Sequence, residues 1–367
     1  MQSVRTVFQW IGIVAVAGFI FAGCEGDYRK ESIGSPGDLL VVMDSTQFDS
    51  ETAQAIRETF GAYIRTIPSA QPKFDLKFTD FTTEEKLEQI KRTRNVLIAT
   101  PVDAETNVGT WVRSMLGDRV EESIRAGENF SFPMGDQWYR NQWAAILTST
   151  SDAALAKKIR RGGESLVQDL VQLEIERWKY EIYERGEQFA LEDSLWDQHG
   201  WKIRVQHDYQ LNIDTTFNDG ETGLITMRRF LPKNDRWIWA WWDNKFTDIA
   251  RIDSAWITQK RDSLMKLYIR GSRDDSYVQT SYNRPYESTS LEINGYYTIE
   301  SRGIWRMTND AMAGPFVNYV IYDDEQQRLF MLEFAQFAPR YDKRRFVRQF
   351  EAMARTFQSD STWNDRP

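Results

Sequence analysis

The side chains that could do chemistry are few. The 367-residue chain has two histidines, His199 and His207, and one cysteine, Cys24. It contains no His-Glu-x-x-His, cysteine pair, Gly-x-Ser-x-Gly, Walker A or dinucleotide fingerprint. Ser263-Leu264-Met265-Lys266 spells Ser-x-x-Lys, but the companion Ser-Asp-Asn and Lys-Thr-Gly motifs are absent. A histidine-based zinc site would need carboxylates to complete it, and no local cluster supplies them. The expectation is no catalytic residue, no metal site and no cofactor. One enzyme class stays open. A hydrolase or lyase acting on envelope glycans needs only two carboxylates at a set separation and leaves no motif, and the chain has 54 acidic residues.

Three groups are candidates for binding. Asp44 and Ser45 follow one apolar run, and Thr100 and Asp103 follow another. In open α/β sheets ligands bind beyond the carboxyl ends of strands, where strand order reverses. Asp44 with Asp103 would offer oxygen donors to a hard cation such as Mg²⁺; Asp44 and Ser45 would serve equally well as caps. The string Arg236-Trp237-Ile238-Trp239-Ala240-Trp241-Trp242 puts Trp237, Trp239 and Trp241 on one face of a strand. Exposed, they would form a platform for sugar rings or a partner protein; under a helix, they would be core. Arg302, Trp305, Arg306 and Asn309 combine planar cations, an aromatic ring and an amide, as interface anchors do. Met312 to Pro315 then reads as a tight turn.

The elements that must position these groups change character along the chain. From residue 37 to 150, apolar runs (Leu39–Met43, Val96–Ala99, Trp143–Leu147) and an alternating segment (Phe74–Phe78) are separated by helical stretches. That order predicts an α/β domain with a mostly parallel sheet and helices on both faces. Residues 151–200 read as a long connecting helical region, with Val171, Ile175, Trp178 and Ile182 on one face. Gly162-Gly163 marks an early break, Gly186 a late one and Gly200 the stop. Residues 201–358 predict an α+β domain, an antiparallel sheet with two helices, followed by a tail over 359–367. Thr289–Ile299 and Gly303–Met307 are read as separate strands. Lys343-Arg344-Arg345 opens the last helix, where positive charge opposes the helix dipole. Nearby acids or an anionic surface would have to offset it.

The N-terminus supplies an address. Arg5, an apolar stretch from Val7 to Ile20, and Phe21-Ala22-Gly23-Cys24 have the layout of a bacterial lipoprotein signal over residues 1–23. The expectation is an acylated Cys24, a tether over 24–36 and residence in the cell envelope, at the outer membrane. Several acyl chains give stable anchoring. The formal net charge of −8 argues against a nucleic-acid partner, which needs a basic face. A protein or envelope glycan is the expected partner besides the membrane. With one cysteine no internal disulfide can form, so stability must come from burial, for which 14 Trp and 21 Phe provide ample apolar area.

Two blocks of residues carry a family resemblance. One comprises Arg261-Asp262, Lys266, Tyr268-Ile269, Gly271 and Ser276-Tyr277-Val278; the other comprises Arg302-Gly303-Ile304-Trp305, Asn309 and Met312-Ala313-Gly314-Pro315-Phe316. They resemble an uncharacterised lipoprotein family of Bacteroidota, domain of unknown function 4837. Ala313-Gly314 stands where two glycines are expected before Pro315. The similarity runs over most of the chain after the signal segment and is densest from Arg261 to Phe357. It implies a secreted lipoprotein and carries no activity. The element order of the second domain is also similar to the PsbP and Mog1 type of fold, an analogy of architecture that says little about function.

Overall fold

Residues 28–363 are described in the computed structural model. The signal segment 1–23 and Cys24 lie outside the described residues. No helix among the described residues is long and apolar enough to cross a membrane.

Doubly buried strands build the N-terminal sheet. Its elements are β1 (Asp38–Val42), α1 (Glu51–Thr59), β2 (Asp75–Thr79), α2 (Glu84–Lys91), β3 (Asn95–Ala99), α3 (Asn107–Met115), α4 (Asp118–Arg125), β4 (Ser131–Pro133) and β5 (Trp143–Leu147). The strand order is β2-β1-β3-β5-β4, parallel except for β4, which pairs antiparallel with β5 at one edge. All residues of β3 and β5 are buried, because α1 packs on one face (Ala53, Ile56) and α2 and α3 on the other (Leu87, Ile90, Val108, Val112). Side-chain caps start the helices: Ser50 accepts from Ala53 N, Thr83 from Lys86 N, and Thr106 from Gly109 N.

One helix serves both halves. α5 (Asp152–Glu181) runs unbroken for 30 residues. Its first turns bury Leu155, Ile159, Leu166 and Leu170 in the N-terminal core, and its last bury Ile175 and Trp178 in the C-terminal core. Gly162 and Gly163 do not break it, which corrects the sequence expectation. A Cβ on Gly163 would sit 3.0 Å from the Thr59 methyl, so the glycine lets α5 and α1 approach closely. Gly200, with φ +65°, ends α6 (Phe189–His199) as expected.

The C-terminal half is an antiparallel sheet covered on both faces. After the short β6 (Trp201–Lys202) come β7 (Gln210–Phe217), β8 (Thr222–Leu231), β9 (Asn234–Asp243), α7 (Ser254–Tyr268), β10 (Val278–Thr280), β11 (Glu287–Ile293), β12 (Tyr296–Met307), β13 (Ala313–Asp323), β14 (Arg328–Phe337), α8 (Arg344–Ala354) and β15 (Gln358–Ser359). Strand order is β10-β12-β13-β14-β9-β8-β7, with β11 also on β12. Thr289–Ile299 is not one strand, as the sequence reading had it. Asn294 and Gly295, at φ +51° and +90°, turn β11 into β12, and Gly303–Met307 completes β12. Trp237, Trp239, Trp241, Leu329 and Met331 face α7, whereas Ile238, Trp242, Phe330 and Phe334 face α5, α6 and α8.

The basic start of α8 holds the halves together. Gln71 Oε1 accepts from both Lys343 N and Arg344 N at 2.9 Å. Arg344 donates to Pro72 O at 2.9 Å and pairs with Asp75 at 2.5 Å. Gln71 thus caps two backbone donors of this helix start, and Asp75 pairs with one of its three cations.

Candidate functional site

Two clefts contain sequence candidates. The first lies where the N-terminal strand order reverses, beyond the carboxyl ends of β1 and β3. It has a volume of 240 Å³ and is lined by Asp44, Thr46, Thr52, Thr100, Glu105 and Asp152 among others. Its polar groups are mostly committed. Asp44 accepts from Thr46 N at 2.9 Å, and Asp152 accepts from Glu51 N and Thr52 N at the start of α1. Ser45 N donates to Asp80 at 3.0 Å. Thr100 is buried, with its hydroxyl on Pro101 O. Asp103 is not in this cleft: its two oxygens bind Arg125 at 2.7 and 3.0 Å, and Arg125 holds its carboxyl below the usual range. The Asp44–Asp103 cation pair is therefore not assembled. Among the described residues no group of three or more His, Cys, Asp or Glu could hold a metal.

The second cleft is larger, 630 Å³, and belongs to the C-terminal half. The sheet curls into a half-barrel, bringing Ile213 on edge strand β7 and Val278 on the opposite edge strand β10 to one opening. Trp237, Trp305, Met307 and Val278 form a buried floor, and Tyr268 and Ile269, at the end of α7, form a wall. The Trp237 and Trp305 rings meet edge to face with centroids 5.0 Å apart. Asn212, Arg228, Arg270 and Ser272 are exposed around the mouth. Arg228 binds Asp235 through two hydrogen bonds, of 2.9 and 2.5 Å, and that carboxylate raises the pKa of its guanidinium.

The expected Trp platform and Arg–Trp surface are both corrected. Trp237, Trp239 and Trp241 are at most 7% exposed and Trp305 is fully buried, because α7 covers that face. Arg302 and Trp305 are three apart on β12, so they point to opposite faces. Arg302 turns towards α8 and pairs with Glu300 at 2.7 Å and with Glu351. Arg306 and Asn309 are exposed, with Asn309 donating to Asp275 O at 3.2 Å. Neither lines the cleft. Of the sequence candidates, Trp237 and Trp305 meet in the cleft. The rest of its lining was not read as one site from the sequence, since it comes from segments a hundred residues apart that only the curl of the sheet gathers.

Met312 to Pro315 is not a turn but the approach to β13 and its first residues. Gly314 pairs with Trp305, and a Cβ there would lie 1.9 Å from Gln336 O and 2.9 Å from the Trp305 indole nitrogen. Pro315 precedes the first β13–β14 pair, Phe316 with Ala335, so its missing N–H breaks no ladder bond there. Gly314→Ala should therefore cost about 2 kcal/mol by overpacking, read as a lower denaturation midpoint; a variant as stable as the parent would refute this account of the glycine.

Residues 188–356 match the family model described as Domain of unknown function (DUF4837). This segment belongs to that family. Residues 32–183 match a second model, Domain of unknown function (DUF8532). The single family expected over most of the chain is thus two, meeting just after α5. No curated protein matches the chain. Within the DUF4837 segment, both blocks that carried the resemblance run past the cleft: Tyr268, Ile269, Gly271 and Val278 from one, Trp305 and Met312 from the other.

Proposed function

We propose that this protein is a non-enzymatic binding or assembly factor of the bacterial cell envelope, held at the outer membrane by acyl chains on Cys24. In this reading the aromatic cleft of the DUF4837 segment receives an apolar part of an envelope component. The observation that carries it is the cleft lining. A buried Trp and Met floor sits under a polar rim, the composition of a binding pocket. Asp235, the single carboxylate of its lining among the described residues, is already committed to Arg228, which supports binding over turnover. A glycan hydrolase needs two carboxylates flanking its substrate. Here the aromatic cleft offers one, and the crevice with Asp44, Glu105 and Asp152 offers no aromatic ring. We read the antiparallel sheet with helices on both faces as related to the PsbP and Mog1 type, at the level of architecture alone.

A photoreactive amino acid placed at Ser272 tests this in native membranes, with one at Glu122 on α4 as control. An adduct specific to Ser272 is expected. Equal labelling at both positions, or none at Ser272, would reject the cleft as the binding site.

A further inference from the structure

The cleft has an apolar interior and an unbalanced cation at its mouth. Its lining charges are Arg228, Asp235 and Arg270. Arg228 and Asp235 neutralise one another. Arg270 is exposed and makes no ion pair among the described residues. The volume of 630 Å³ falls within the roughly 300–1,000 Å³ of small-molecule sites, suited to one chain rather than a two-chain phospholipid. Met307 and Met312 line it beside the two indoles. Unbranched thioether side chains repack around flexible apolar ligands.

We infer that the cleft takes a single acyl chain with a carboxylate head: the chain lies against Trp237, Trp305 and Met307, and the carboxylate meets Arg270 at the mouth. This rests on the reading of the cleft as the protein's binding site. One guanidinium matches one carboxylate in charge and in planar two-bond geometry. A phosphate monoester carries about −1.5 to −2 charges and three acceptor oxygens, more than Arg270 alone balances. A sugar would leave many hydroxyls against an apolar floor, where unmade hydrogen bonds are costly.

The test titrates the full chain with brominated stearate, reading quenching of tryptophan fluorescence. Brominated stearyl alcohol and a brominated stearyl phosphate form the parallel arms. Stearate should bind best. Arg270→Ala should weaken stearate about tenfold, the loss of one charge-assisted contact, and leave the alcohol unchanged. Ser272→Tyr, or Asn212→Tyr should the first misfold, should block both at an unchanged melting temperature. Equal affinity for stearate and alcohol, indifferent to Arg270→Ala, would overturn the carboxylate head while leaving the cleft reading intact. Tighter binding of the phosphate would overturn it as well. No quenching by any arm, with the Ser272 adduct still formed in membranes, would overturn the acyl chain alone. Loss of both quenching and adduct would take the binding site with it.

Discussion

Glu333→Ala should lower the unfolding free energy by about 3–5 kcal/mol, the usual cost of removing one partner of a buried ion pair. Glu333 lies mid-strand in β14 and Arg261 on α7, both fully buried. Arg261 donates from Nε at 2.7 Å and from Nη2 at 2.8 Å, one to each carboxylate oxygen. Asn318 adds a third bond at 3.1 Å. The remaining Arg261 donor reaches Asp262 and Thr280, and its guanidinium lies 4.0 Å from the Phe316 ring centroid. Burial works against the Arg261 charge, but Glu333 and Asp262 more than offset it, so the arginine pKa is raised. Alanine at 333 would leave that cation in an apolar layer with one acid nearby. The double variant Arg261→Met with Glu333→Leu should recover most of the loss, because two apolar residues bury no unpaired charge. Urea denaturation measures both. A single variant within about 1 kcal/mol of the parent would show the pair behaving as a surface contact. The consequence reaches the cleft, since Tyr268 and Ile269 in its wall continue from the helix that Arg261 anchors.

The parts of this fold that could be read in the sequence are those with one local cause. Leu39–Met43 and Val96–Ala99 announced central strands because burial on both faces leaves an unbroken apolar run. β7 gave no such signal: it is a polar edge strand whose register shifts between Leu211 and Ile213, so its alternation is interrupted. Asn294-Gly295 was legible as a hairpin turn but sits between two alternating segments that read as one. The odd spacing of Arg302 and Trp305 likewise carried the information that they part to opposite faces. Neither the cleft nor the position of Arg270 had any local signature. Both depend on opposite sheet edges meeting, which follows from the accumulated twist of the whole sheet.

Glu351→Gln should cost on the order of 3 kcal/mol at neutral pH, and the difference from the parent should close in acid. Glu351 is fully buried on α8. It pairs with Arg348 at 2.8 Å and with Arg302 from β12, and its backbone oxygen accepts from Arg355. Burial raises its pKa, but Arg302, Arg348 and Arg355 overcome that effect and hold the carboxyl at about 2, against an ordinary value of 4.5. A folded pKa below the unfolded one stabilises the protein only while the group is ionised. The contribution is therefore complete above pH 4.5 and disappears as pH falls towards 2. Glutamine keeps the shape and lacks the charge, so its stability should show no such dependence from this site. The measurement is the parent-minus-variant difference in unfolding free energy across that range, in which the other carboxylates cancel. A difference that stays constant from neutral pH down to 2 would mean the arginines do not hold the charge. A closing difference would assign Arg302 to the packing of α8 against the sheet, the same helix whose first turn grips Gln71 and Asp75. Acid would then loosen the joint between the two halves through α8, on the sheet face opposite the cleft, leaving the Trp237–Trp305 floor under α7 as the later part to yield.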